Sequence, residues 1–96
     1  MANSKAAREL EEFDKVFKAL AHPTRRYILT LLLAEKRLNA GDIVSYFEDK
    51  WPTITRHLKQ LEEAGLIISE REGTQLFYSL EAGRVKAVVN KWLQWF

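Results

Sequence analysis

Apolar residues recur at helical spacing in five stretches of this chain and alternate in a sixth, beside a short β-branched run. Leu10, Phe13, Phe17 and Leu20 are separated by steps of three and four, which predicts a helix from Asn3 to Ala21. His22-Pro23 ends it, because proline lacks a donor and restricts the residue before it. A second helix is expected from Pro23 or Thr24 to about Glu35, with Tyr27, Ile28, Leu31 and Leu32 as its core stripe. Asn39-Ala-Gly-Asp42 resembles a capping box: Asn39 caps, and Asp42 sits near the positive end of a short third helix through Ile43, Val44 and Phe47. Glu48-Asp49-Lys50 makes a turn, and Pro52 suits the first turn of a fourth helix. On that helix Ile54, Leu58 and Leu61 form one stripe at about 100° per residue, and Gly65 stops it.

After Gly65 the period changes. Leu66-Ile-Ile-Ser-Glu-Arg71 is a β-branched run, Glu72-Gly73-Thr74 offers a turn, and Leu76, Tyr78 and Leu80 alternate onto one face. Two such runs around a glycine-containing turn predict a β-hairpin. Glu81 to Phe96 then predicts a last helix, with Val85, Val88, Val89, Trp92 and Phe96 on one side. The expected fold is mainly α with a small β-hairpin, in the order α-α-α-α-β-β-α. That is a winged helix-turn-helix, in one domain spanning residues 1–96.

The fourth helix carries the candidate chemistry. Its outer face presents Thr55, Arg56 and Lys59, preceded by Lys50, Trp51 and Thr53, and no acidic side chain lies between Lys50 and Lys59. A short helix with a buried stripe, small hydroxyls and an arginine outside fits a major groove. The plainer alternative is a solvated polar face such as any surface helix has. In the hairpin, Arg71, Gly73 and Thr74 could reach neighbouring backbone or minor groove. The alternative for Arg71 is an exposed charge that blunts a sheet edge.

Composition narrows the field. The chain has 96 residues, enough for one small core, and is 47% hydrophobic and 29% charged, as folded soluble proteins are. Net charge is only +2, so local clustering matters more than the total. Without cysteine, disulfides and thiolate metal sites are excluded. No apolar run approaches the ~18 residues of a membrane span, and no signal peptide is visible, so no membrane insertion is expected. The bacterial or archaeal cytoplasm is the expected compartment. No nucleophile elbow, glycine-rich phosphate loop or metal-ligand pair suggests an enzyme.

Phe17-Lys-Ala-Leu-Ala-His-Pro-Thr-Arg-Arg-Tyr-Ile-Leu29, Pro52-Thr-Ile-Thr-Arg-His-Leu58, Leu61-Glu-Glu-Ala-Gly-Leu-Ile67, Arg71-Glu-Gly73 and Tyr78-Ser-Leu80 stand in that order. Together they resemble the ArsR/SmtB family of bacterial and archaeal repressors, over most of the chain. The resemblance implies a homodimer that represses transcription from a two-fold operator, often its own promoter. It implies a dimer built from the first and last helices, and DNA contacts from the fourth helix and the wing. Thr55 stands where the family has a DNA-contacting serine or threonine, and Arg56 follows in a contact position. Trp51 replaces a glutamine or similar polar residue. It either meets sugar or a thymine methyl, or packs on Phe47 or the turn. Thr74 replaces a basic residue, which implies a weaker phosphate grip by the wing.

The family's metal sensing finds no counterpart here. Its soft-metal sensors use paired cysteines, and its zinc-type sensors use spaced Asp, His and Glu on the last helix. That helix here offers Glu81 and no histidine. His22 is expected as a helix cap and His57 as a half-buried residue beside the apolar stripe, with no convergence of the three or four ligands zinc requires. Neither metal nor other cofactor is expected. Leu10, Phe13, Phe17, Val85, Val88, Val89, Trp92, Trp95 and Phe96 are the expected dimer interface, since so many large side chains on two terminal helices exceed what one small chain can cover. Double-stranded DNA and a second copy are thus the expected partners, with a regulatory protein or small effector left open. Two alternatives stand beside this reading: a winged helix serving purely as a protein-interaction module, and a metal-responsive repressor with an atypical carboxylate and histidine site. Salt separates DNA binding from apolar docking, because only phosphate binding weakens steeply as salt rises.

Overall fold

The computed structural model describes residues 4–96, so the expected start of the first helix at Asn3 lies outside the described residues. Helix α1 runs Lys5–Leu20, capped by Ser4, whose hydroxyl oxygen accepts the Ala7 N–H. It buries Phe13, Val16 and Ala19 at i, i+3 and i+6. Helix α2 runs Pro23–Glu35 and buries Ile28, Leu31 and Leu32. Tyr27, expected in that stripe, is instead 49% exposed and meets Phe47 edge-on at 5.6 Å. It adjoins Ile28 on the helix surface but lies outside the narrow arc that faces the core.

A short strand, β1 (Arg37–Asn39), follows, and its presence corrects the expected order. The chain then forms α3 (Ala40–Val44), α4 (Trp51–Glu63), β2 (Ile67–Glu72), β3 (Gln75–Leu80) and α5 (Ala82–Leu93). Nothing local announces β1: Leu38 is its single apolar residue, and it becomes a strand by pairing Leu38 with Tyr78 of β3. The sheet is therefore three-stranded and antiparallel, in the order β1-β3-β2. Helix α3 stops at Val44 rather than reaching Phe47, and α5 stops at Leu93, leaving Trp95 and Phe96 past its end.

Helix α4 ends in a Schellman cap. The Leu66 N–H reaches the Leu61 carbonyl at 3.0 Å and the Gly65 N–H reaches Glu62 at 2.9 Å. Gly65 has φ +76°, the left-handed conformation that closure needs, and fully buried Leu61 and Leu66 provide its apolar contact. The stripe Ile54, Leu58 and Leu61 is completely buried against Ile28, Leu32 and Ile43. Truncating Leu58 to alanine would cost about 2–5 kcal/mol, enough to unfold a small domain partly. The anchored stripe fixes which side of α4 faces out.

The hairpin turns at Gly73-Thr74, with Glu72 opposite Gln75. Gly73 takes φ +62° at the first central position, as a tight hairpin turn of this length prefers. On the outer face, Arg37 pairs with Glu72 at 2.7 Å and lies over the Phe77 ring at 3.8 Å. These contacts tie β1 to the tip of the wing across β3.

Candidate nucleic-acid interface

Lys50 caps α4 with its backbone and leaves its side chain in solvent; Trp51 and Pro52 form the first turn. Burial of Ile54, Leu58 and Leu61 turns Thr55, Arg56 and Lys59 outward, and all of them are exposed. Thr53 is half-buried at the edge of this face. The Thr55 hydroxyl donates to the Pro52 carbonyl at 3.1 Å, so its proton is used within the helix and its oxygen is left to accept.

Trp51 does not pack on Phe47. Its indole lies against Gly41 of α3, where an added methyl would sit 3.7 Å from the ring, and Phe47 is occupied by Tyr27 instead. The ring remains half-exposed at the mouth of a cleft of about 430 Å³ between α3, the start of α4 and the wing. Thr55, Thr74 and Gln75 also line this cleft, and no carboxylate does.

Arg71, Gly73 and Thr74 are exposed at the wing tip. Residues alternate across a strand, so Arg71, opposite Leu76, shares the face that carries buried Ile67 and Tyr78. Glu70 and Glu72 lie on the other face, where Arg37 neutralises Glu72. Lys50, Arg56, Lys59 and Arg71 make no ion pair with any described residue, whereas Lys15, Lys18, Arg37, Arg84 and Lys91 all do. The cations without partners are the ones on α4 and the wing, together with others such as Lys86 elsewhere. Such uncompensated charge beside a carboxylate-free cleft attracts polyanions.

Sequence reasoning passed over Gln75. Its Oε1 accepts from Asn39 Nδ2 at 3.0 Å, which links the wing to the cap of α3. A polar residue after a turn carries no signal of its own, and Asn39 is legible only as a cap. His22 and His57, read separately, converge: His22 caps α2 through Nδ1, and its ring stands 4.5 Å from that of His57 on α4. Among the described residues, no three His, Asp or Glu side chains gather as a metal site requires.

The opposite end of the molecule carries the aromatic residues. Trp95 meets Phe13 edge-on at 5.0 Å and Trp92 meets Phe17 at 5.4 Å, joining α5 to α1. Phe13 and Val88, expected on a dimer face, are buried within the single chain, so their surface is largely spent already. Phe17, Val85 and Val89 are half-buried. Leu10, Trp92, Trp95 and Phe96 remain open, at 61%, 36%, 54% and 86% exposure, together with Leu93, which the helical pattern did not single out.

A helix seated by one buried stripe, faced with unpaired cations and followed by a hairpin that β1 completes into a three-stranded sheet, defines a winged helix-turn-helix. A family profile described as bacterial regulatory protein, arsR family, matches residues 22–69. The transcriptional repressor SdpR of Bacillus subtilis is 39% identical over 77 residues, covering 80% of this chain and 84% of SdpR. An HTH-type transcriptional regulator of Methanocaldococcus jannaschii is 35% identical over 84 residues, covering 84% of this chain and 94% of that protein. Among solved structures, the homodimeric winged helix-turn-helix DNA-binding domain of a possible ArsR-family regulator from Mycobacterium bovis superposes with a TM-score of 0.76 at 29% identity, over 98% of this chain and 91% of that one. The chain belongs to the ArsR family of transcriptional regulators and carries its winged helix-turn-helix DNA-binding domain. The family consists of DNA-binding regulators rather than enzymes. No helix among the described residues is long and apolar enough to cross a membrane.

Proposed function

We propose that this protein is a cytoplasmic, homodimeric repressor that binds an inverted-repeat operator in a sequence-specific manner and does not respond directly to a transition metal. The observation that carries the DNA reading is the set of unpaired cations, Lys50, Arg56, Lys59 and Arg71, on the exposed side of α4 and the wing. Arg56 and Thr55 are the base-reading candidates, because they project from the first turns of the helix that enters the groove. Lys50, Lys59, Arg71, Thr74 and the Gly73 turn are assigned to the sugar–phosphate backbone, and Trp51 and Thr53 to the edge of the contact.

The open apolar surface around Leu10, Trp92, Trp95 and Phe96 supports a second copy at the far end. The Mycobacterium relative is described as homodimeric, and SdpR as a repressor. A two-fold pair of such domains requires a two-fold operator, with half-sites separated by about one helical turn or a multiple of it. Selection of bound duplexes from a random-sequence library tests this directly. The expected result is an inverted repeat whose binding weakens steeply with salt. Recovery of no duplex, or of one with no two-fold symmetry, contradicts the proposal.

A further inference from the structure

We propose that Gln75 donates a hydrogen bond to a backbone phosphate of the bound duplex and that Asn39 holds it in that role. The assignment rests on the DNA-binding reading above and adds a residue that neither motif nor periodicity indicates.

The argument is one of donors and acceptors. Asn39 Oδ1 accepts the Asp42 N–H at 2.7 Å. A backbone N–H only donates, so Asn39 must turn its oxygen there and its amide nitrogen away. That nitrogen, which also only donates, lies 3.0 Å from Gln75 Oε1. Gln75 must therefore turn its oxygen toward Asn39 and its NH2 away. A backbone N–H in α3 thus sets the orientation of a side chain on the wing. No described residue accepts from the Gln75 Nε2 donors.

Position identifies what can accept. Gln75 borders the cleft between α4 and the wing, beside Thr55, Thr74 and the half-exposed Trp51. With α4 in a major groove and the wing reaching beyond it, the sugar–phosphate ridge that separates the grooves falls between them. Phosphate oxygens only accept. The outward face of Gln75 only donates, no carboxylate lines the cleft, and Glu72, opposite Gln75 on β2, is held in an ion pair by Arg37.

The test uses the duplex recovered by selection from the random library, with affinity measured across a salt series. Gln75→Ala should lose about tenfold in affinity, as expected for a hydrogen bond to a charged group. Its salt slope should be unchanged, because a neutral donor releases no counterion. Gln75→Glu still accepts from Asn39 but turns a carboxylate toward the phosphate, and should lose more. Asn39→Ser keeps a capping hydroxyl, lacks the amide donor, and should lose affinity in the wild-type background but nothing further beside Gln75→Ala. Melting temperatures confirm that each variant is folded. If Gln75→Ala binds like wild type while Arg56→Ala is weakened, the Gln75 assignment is wrong and the DNA reading stands. If Asn39→Ser costs the same in both backgrounds, Asn39 does not act through Gln75. A wild-type protein that retains no duplex overturns the DNA reading and this assignment with it.

Discussion

The imidazole rings of His22 and His57 stand 4.5 Å apart, joining the cap of α2 to the buried edge of α4. His22 Nδ1 accepts the Thr24 N–H at 3.1 Å. His57 Nδ1 lies 3.2 Å from Arg25 Nη1, and a guanidinium only donates, so this nitrogen must accept. Arg25 also holds the Ala19 and Lys18 carbonyls at the end of α1, at 2.7 and 3.0 Å. Three helices therefore meet at one cluster, and each ring, when neutral, keeps its proton on Nε2.

Acid should loosen this junction. A second proton on the His57 ring must go to Nδ1, directly against the Arg25 donor. Burial lowers the pKa of His57 below 6.5; the His22 ring and Arg25 lower it further, Asp49 opposes them, and Arg56 adds a smaller lowering. The unfolded chain then binds more protons than the folded one as pH falls through 6.5, so stability is full above that value and declines below it until the depressed folded pKa is passed. Thermal melts from about pH 8 to about pH 5 should show the decline, with a flatter curve for His57→Gln. Parallel curves for the two proteins would show that His57 contributes nothing to it.

The elements visible in the sequence are those whose cause is local. The 3.6-residue stripes, the caps at His22-Pro23 and Asn39, and Gly65 each act within a turn or two of themselves, and they place α1, α2 and α4 nearly to the residue. What was not legible depends on partners distant in sequence. Strand β1 exists because β3 passes beside it, and Tyr27, half-exposed, meets Phe47 from the connection between α3 and α4. The His22–His57 pair spans two helices, and the Asn39–Gln75 link crosses from a cap to the wing. The outward face of α4 was legible for the same local reason: its buried stripe fixes its orientation, and so locates Arg56 and Lys59.

Dimerisation should depend on the surface that a single chain leaves open. Trp92 and Trp95 also meet Phe17 and Phe13 of their own chain edge-on, so Trp92→Ser with Trp95→Ser should lower both dimer affinity and the melting temperature. Leu10→Glu with Phe96→Ser removes exposed groups instead, and should yield a folded monomer with little change in secondary structure. Sedimentation at micromolar concentration distinguishes these outcomes. A wild-type monomer under those conditions contradicts the dimer.

On DNA, Arg56→Ala and Lys59→Ala should fail differently. If Arg56 is bidentate to a guanine, its loss costs ~1–3 kcal/mol and relaxes discrimination at one base pair. Lys59→Ala or Lys50→Ala should weaken all sequences alike and reduce the salt slope by about one unit. Thr55→Ser should bind normally and Thr55→Val should not, because serine retains an accepting oxygen and valine has none. Competition assays with operator variants measure each effect, and an Arg56→Ala protein that discriminates like wild type would move the reading face elsewhere.

Lys36 ends α2 with φ +71°, while its N–H still reaches the Leu32 carbonyl at 3.0 Å. A side chain with a Cβ is strained in that region, and glycine is not. Lys36→Gly should keep the hydrogen bond and stabilise the fold by about 1 kcal/mol, less the entropy that glycine adds to the unfolded chain. Urea denaturation measures the balance, and a midpoint below that of wild type would show that the strain is smaller than the entropy.

Zinc, nickel, cobalt and copper at micromolar concentration should leave the DNA complex intact. The nearest approach to a donor set is His22 with His57, and their geometry argues against a metal. Both Nδ1 atoms already accept hydrogen bonds and both Nε2 atoms carry the ring proton, so neither ring holds a free lone pair toward a metal, and zinc needs three or four ligands. The Arg25 guanidinium beside His57 adds a positive charge that an incoming cation must overcome. Cysteine is absent from the chain, and α5 carries no histidine or acidic residue within its bounds. Glu12 and Glu9, which face α5 from α1, are engaged by Arg84 and Lys91. To act as an inducer, a metal must bind the free protein more tightly than the DNA-bound one, and a tenfold difference corresponds to ~1.4 kcal/mol of coupling. Calorimetric titration of the protein and of its operator complex measures both affinities. A stoichiometric site whose occupation changes operator affinity tenfold would return control of this regulator to a metal, and the His22–His57 pair would be the first place to look for the ligands.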